Sequence, residues 1–284
     1  MAISQSWIDK YSAGPSDYKV SKVKALHEII RKVLASANEG PFDTFLQGSY
    51  KNDTAISDIN DVDIVALYDP WASPANHRAW QWLFEYVAQT LSDDSRIPGS
   101  ISIGDKCVKL EGAVNADIVP AISRTSHSSS DPISIYSLSE RGEVDNHPRT
   151  HYDNGVSKQK QCNGTYKATV RLFKHWSRQY PYLNAPSFYI ECLISNLPAS
   201  SFDAYLPLAF ARIAAEIFGL GPNDKIWSVA RDKDILVSSE WPYDDFAEFQ
   251  VKLRADFNLV MSALESDSSG GANRLWRTAF GDFD

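Results

Sequence analysis

From Asp17 to about Ala37 the apolar residues Val20, Val23, Leu26, Ile29, Ile30, Val33 and Leu34 recur at helical spacing, which predicts an amphipathic helix. Ser16 or Asp17 fits its N-cap, and Gly40-Pro41 stops it. Alternation then replaces the helical period. Phe42 to Leu46 reads as a short strand ending on Gly48-Ser49. Asp61 to Tyr68 reads as a second strand, with Val62, Ile64, Ala66 and Tyr68 on one face and Asp61, Asp63, Val65 and Leu67 on the other. A helix is predicted from about Ala75 to Leu91, followed by strand-like runs at Ser100–Ile103, Cys107–Leu110 and Val114–Ile122. After Pro148 only helical patterns follow: Lys158–Tyr180, Ser187–Leu197, Phe202–Phe218, Tyr243–Leu264 and Asn273–Phe280. The pattern predicts an α/β half over residues 1–150, including the N-terminal helix, and a helical half over 151–284. Ser126–Ser130 and Ser266–Gly271 read as polar loops within these halves.

Composition narrows the classes. A chain of 284 residues that is 43% hydrophobic, with eight Trp, supplies a large buried core and excludes intrinsic disorder. Its formal charge of −8 argues against a protein that draws in long nucleic acids by surface attraction. It leaves open small anions met by local cations or metal ions. The first residues show no basic segment leading into an apolar one, so no signal peptide is expected. No apolar run approaches the ~20 residues that span a bilayer. Cys107, Cys162 and Cys192 are odd in number and far apart, which predicts neither disulfides nor a zinc site and fits a reducing cytoplasm.

Candidate chemistry concentrates in three acids. On the second strand Asp61 and Asp63 share a face, about 6.6 Å apart at ~3.3 Å per residue. Asp117 lies in another apolar strand, Val114–Ile122. Clustered carboxylates repel unless a cation offsets them, and all-oxygen donors suit Mg²⁺ or Mn²⁺. Three such acids on neighbouring strands would make a two-metal clamp for in-line phosphoryl transfer. Gly48-Ser49 precedes them, a tight turn whose backbone N–H groups and hydroxyl could hold phosphate oxygens.

The order Gly48-Ser49, Asp61-x-Asp63, Asp117 resembles the polymerase-beta-like nucleotidyltransferases. The stretch from Gly48 to Ile64, with Thr54 and Ile56, is similar to their bacterial cGAS/DncV-like branch, the CD-NTases, which make cyclic oligonucleotide signals in anti-phage defence. The likeness extends through His147-Pro148-Arg149-Thr150-His151, Asn163–Lys167, Val170–Trp176 and Trp276–Phe283, nearly the whole chain. The Asn163-Gly164 pair and the short length look most like clade E, whose members include pyrimidine-preferring cyclic dinucleotide synthases.

The resemblance implies an α+β fold: a nucleotidyltransferase core with a mixed sheet, a C-terminal helical domain, and the active site in the cleft between them. It implies that Asp61, Asp63 and Asp117 are catalytic and hold two Mg²⁺ or Mn²⁺ ions, Asp117 also favouring deprotonation of the attacking ribose hydroxyl. Gly48, Ser49, Lys174 and Ser187 would contact the triphosphate, and Phe188 would stack on a base. On its residues alone, Lys174 equally fits a solvated helical face and Phe188 a core position. Asn163 has the amide donor and acceptor that match N3–H and O4 of uracil. Arg274-Leu275-Trp276 matches a motif of pyrimidine-preferring relatives, an Arg donor beside an indole. A helix N-cap for Asn163 and a core position for Trp276 are the plainer alternatives.

The implied substrates are nucleoside triphosphates, UTP favoured and ATP possible. The implied enzyme is a cytoplasmic monomer with no nucleic acid activator and no membrane association, its product read by a separate effector protein. The carboxylates alone fit a second reading, a nucleotidyltransferase that modifies an RNA, protein or small-molecule acceptor. A non-catalytic binding module is disfavoured by three retained, mutually repelling acids. A nucleic-acid sensor is disfavoured because no His/Cys cluster or Lys/Arg run is present.

Overall fold

The computed structural model describes residues 3–38, 42–57, 61–69, 80–124, 130–235 and 241–281. The chain begins with α1 (Gln5–Ser12) and α2 (Asp17–Ala35). Ser16 caps α2, its side chain accepting from the Lys19 N–H at 3.3 Å. Next come β1 (Phe42–Gln47), a single helical turn α3 (Gly48–Lys51), β2 (Asp61–Tyr68) and α4 (Trp80–Ser92). Five strands follow: β3 (Gly99–Ile103), β4 (Val108–Gly112), β5 (Asn115–Ser123), β6 (Ile133–Ser137) and β7 (Gly142–Asn146). The remainder is helical: α5 (Pro148–Gln161), α6 (Tyr166–Arg178), α7 (Ser187–Asn196), α8 (Leu206–Ile217), α9 (Tyr243–Glu265) and α10 (Ser269–Phe280). The Gly40-Pro41 stop, the first residues expected in the Ala75–Leu91 helix and most of the Ser126–Ser130 loop lie outside the described residues.

One expectation needs correction. Lys158–Tyr180 is not a single helix: Asn163 (φ +51°) and Gly164 (φ +85°) adopt left-handed conformations that end α5 and oblige the chain to restart as α6. Among the described residues, four elements longer than a single turn fall outside the expected ones, β6 (Ile-Ser-Ile-Tyr-Ser) among them. α1 is short, β7 is polar Gly-Glu-Val-Asp-Asn, and α5 is polar through most of its length and carries Gly155.

The chain divides into two compact units, one made of Pro15–Asn52 and Asp58–Tyr152, the other of Met1–Gly14, Asp53–Ser57 and Asp153–Asp284. In the first, the described strands form one mixed sheet in the order β1-β2-β5-β4-β3, with β6 joined to β5 and β7 to β6. β2 and β5 run parallel, whereas β1 with β2 and β4 with β5 are antiparallel. Val62, Ile64, Ala66 and Tyr68 of β2 enter a core shared with Val23, Ile30 and Leu34 of α2 and Phe84, Val87 and Leu91 of α4. Val65 and Leu67 face the other side, with Ala121 and Ile133. The predicted division of β2 into two faces is therefore the observed one, and it leaves Asp61 and Asp63 at the start of the strand.

The second unit is built on aromatic packing. Trp176, Trp241, Trp276, Phe210, Phe249 and Phe280 are fully or almost fully buried in its core. α1 belongs here: its Tyr11 ring packs against Trp276 and Phe280. Asp53–Ser57 is held by α6. Arg171 donates from Nη1 to the Asp53 carbonyl at 2.6 Å and from Nε to the Ser12 carbonyl at 2.7 Å. All three cysteines are free and buried. Among the described residues no helix is long and apolar enough to cross a membrane.

Candidate active site

Sheet register brings the acids together. In the parallel pairing of β2 with β5, Asp63 stands opposite Asp117 and Asp61 opposite Asn115. Adjacent strands lie about 4.8 Å apart, so Asp63 and Asp117 are neighbours on one face of the sheet. Asp61, two residues earlier on the same face of β2, is exposed, while Asp63 and Asp117 are half-buried. On the other side Asp63 pairs with Gln47, the last residue of β1, and the chain then turns through Gly48.

Gly48 has φ +67°, a conformation that costs glycine little and other residues more. Its missing side chain is also a spatial need: a Cβ there would lie 2.1 Å from Asp63 Oδ2. The Asp63 carboxylate therefore occupies space that only glycine leaves open. Ser49 is half-buried in the turn that follows.

Electrostatics mark the same spot. Burial pushes the Asp63 carboxyl up to about 7 from an ordinary 3.8, and the charges of Asp117 and Asp61 add to the shift. Cys107, just ahead of β4, joins the cluster. Its thiol hydrogen-bonds to Asp117 and is pushed up to about 12, first by burial and then by that carboxylate, so it stays protonated at neutral pH. From the sequence alone Cys107 fits neither a disulfide nor a zinc site and has no assigned partner. Its place beside Asp117 follows from the antiparallel register of β4 and β5, which sets Lys109 opposite Asp117.

The donor chemistry fits a hard divalent cation. Asp61, Asp63 and Asp117 offer oxygen alone, and their mutual repulsion, which adds to the burial that raises Asp63, is what a cation would offset. Among the described residues no three His, Cys, Asp or Glu side chains already converge as a ligand set.

The residues expected to contact substrate from the helical half lie in the second unit and fare differently. Asn163, Ser187, Phe188 and Arg274 are exposed. Asn163 is not the N-cap of α6, where Thr165 takes that place; it is a left-handed residue just past the end of α5. Ser187 opens α7 with Phe188 beside it, the Phe188 ring 39% exposed and the Lys233 amine 5.7 Å from its centroid. Lys174 is not on a solvated helical face. It is buried in an ion pair with Glu191 at 2.7 Å and reaches Thr54 Oγ1 at 3.2 Å, while the Thr54 hydroxyl donates to Glu191 at 2.7 Å. Trp276 is likewise no stacking surface for a base. Its indole is fully buried, stacked on Phe280 with centroids 4.2 Å apart and edge-on to Tyr11.

Comparison with known proteins agrees with this fold. The family described as the cGAS/DncV-like nucleotidyltransferase C-terminal helical domain matches residues 153–257. The cyclic UMP-AMP synthase of Rhodothermus marinus is 30% identical over 243 residues, which cover 75% of this chain and 83% of that protein. The cyclic dipurine nucleotide synthase of Elizabethkingia meningoseptica is 30% identical over 190 residues, covering 56% and 64% respectively. Among solved structures, the R. marinus CdnE c-UMP-AMP synthase with Apcpp and Upnpp superposes with a TM-score of 0.72 at 25% identity, covering 99% of both chains.

Proposed function

Because the chain belongs to the cGAS/DncV-like nucleotidyltransferases, we propose that it joins two nucleoside triphosphates into a cyclic dinucleotide that contains uracil. UTP is the favoured substrate, with UTP or ATP as its partner. The observation that carries this reading is the side-by-side placement of Asp63 and Asp117 on parallel strands, with Asp63 packed against the side-chain-free Gly48. A binding module would gain nothing from half-burying two like charges and raising the pKa of one of them.

In this reading Asp61, Asp63 and Asp117 hold two Mg²⁺ or Mn²⁺ ions. Bound there, the ions would neutralise charge on the triphosphate and stabilise the attacking and leaving oxygens. The backbone at Gly48 and the Ser49 hydroxyl hold the donor triphosphate. Asp117 accepts the proton of the acceptor's ribose hydroxyl as that oxygen bonds to the donor α-phosphorus and the bond to pyrophosphate breaks. A second such transfer, within the linear intermediate, closes the ring.

Base choice rests on exposed groups. Asn163 offers the amide pair that matches uracil, Arg274 a further donor, Phe188 a face for stacking and Ser187 a hydroxyl. The relatives' names include both a cyclic UMP-AMP and a cyclic dipurine product, so the preference for uracil rests on these side chains. The product would act in anti-phage defence through a separate effector protein. The synthase itself would work in the cytoplasm as a monomer, without a nucleic acid activator, in keeping with its net charge of −8 and free cysteines.

Incubation with each α-labelled NTP, singly and in pairs, tests this reading. Phosphatase-resistant product should require UTP and a divalent ion. Activity confined to purine triphosphates would refute the uracil preference, and linear products alone would refute cyclisation.

A further inference from the structure

Asn163 is exposed, yet the backbone that carries it is fastened on both sides. The Gln159 side chain, one turn back on α5, uses both ends of its amide: Nε2 donates to the Gly164 carbonyl at 2.6 Å, and Oε1 accepts from the Lys167 N–H at 2.8 Å. The Gln159 carbonyl also accepts from the Gly164 N–H at 2.8 Å. Thr165 completes the clamp, its hydroxyl donating to the carbonyl of buried Cys162 at 2.7 Å and its N–H to the same oxygen at 3.1 Å. The clamp encloses two consecutive left-handed residues, Asn163 and Gly164.

Hydrogen bonds near a surface add little to stability, because water offers the same partners. What this arrangement fixes is direction. A left-handed Asn between two free backbone segments could swing its amide widely, and an amide that is to tell N3–H and O4 of a base from other edges must be held in a narrow range of orientations. Gln159 is the side chain that bridges the residues after Asn163, from Gly164 to Lys167.

We infer that Gln159 is a positioning residue for base choice: by clamping Gly164 and Lys167 it holds the Asn163 amide in the orientation that selects a uracil base. The inference rests on the assignment of Asn163 as the base-reading residue. It adds a specificity determinant with no contact to substrate of its own.

The test is a competition in equimolar UTP, ATP, GTP and CTP, scored by the base composition of the product. Gln159→Leu removes both amide bonds and keeps the side chain's bulk. It should raise the purine share of product several-fold, while total turnover and thermal stability stay near wild type. Gly164→Ala disturbs the same turn through its positive φ and should shift the ratio in the same direction, so a folding defect in one variant leaves the other to decide. Asn163→Ser separates the two assignments. If it shifts the ratio while well-folded Gln159→Leu and Gly164→Ala do not, the positioning role is overturned and Asn163's role stands. If Asn163→Ser also leaves the ratio unchanged, the base-reading assignment falls and the inference falls with it.

Discussion

Asp63 Oδ2 lies where a side chain at Gly48 would begin, 2.1 Å from the position a Cβ would take. The turn proposed to bind phosphate and the acid proposed to bind metal therefore share one volume. Gly48→Ala should push the carboxylate aside and strain a backbone at φ +67°. Turnover should fall by on the order of 10²-fold, the scale of loss that an ångström of misplacement brings at a reacting centre. Steady-state kinetics beside a thermal melt would show the loss in a protein that still folds.

Asp63 carries a pH signature as well. An acid whose folded pKa of about 7 lies above its ordinary 3.8 favours folding while it is protonated. That contribution is complete below about pH 4 and is lost as pH rises through about 7. Asp63→Asn never ionises, so in EDTA it should melt above wild type at about pH 8, and the gap should close towards about pH 4. Saturating Mg²⁺ should raise the wild-type melting temperature at about pH 8 and move that of the variant little. The variant should also be inactive. Melts across this range, with and without Mg²⁺, would check both parts.

Lys174 and Glu191 carry a prediction about the helical unit. Both side chains are 4% exposed and lie 2.7 Å apart. Removing one partner leaves an uncompensated buried charge, so Glu191→Leu should cost about 3–5 kcal/mol. The double variant Lys174→Met/Glu191→Leu should regain most of that loss. Chemical denaturation of the two single variants and the double variant gives the coupling directly.

Much of the first unit is legible in the sequence because its signals are local. Alternation in β2 sorts Asp61 and Asp63 from the core positions, and Gly48 stands out as a turn. Register is not local. That Asp117 faces Asp63 follows from β2 and β5 pairing in parallel, and that Cys107 touches Asp117 follows from the pairing of β4 with β5. In the helical unit the period misleads at particular residues. Lys174 falls on a helix whose sequence looks amphipathic, and its partners Thr54 and Glu191 are 120 and 17 residues away. Trp276 sits one turn before Phe280, which serves a core as readily as a base platform; the packing of α1, through Tyr11, decides for the core. Asn163-Gly164 is a recognisable turn pair, hidden because helical periodicity resumes on its far side.

Trp276 follows from that correction. Its indole is enclosed by Tyr11 and Phe280, so Trp276→Ala should cost about 3–5 kcal/mol through the cavity it leaves. Denaturation of the purified variant would measure the loss.

The measurement that bears most directly on the central claim is mass spectrometry of the product formed from all four nucleoside triphosphates with Mg²⁺ or Mn²⁺, for wild type and Asp63→Asn in parallel. A cyclic dinucleotide containing uracil, formed by wild type and absent from Asp63→Asn and from EDTA controls, is the predicted result. A linear or acceptor-linked product, or an equal yield from Asp63→Asn, would contradict it.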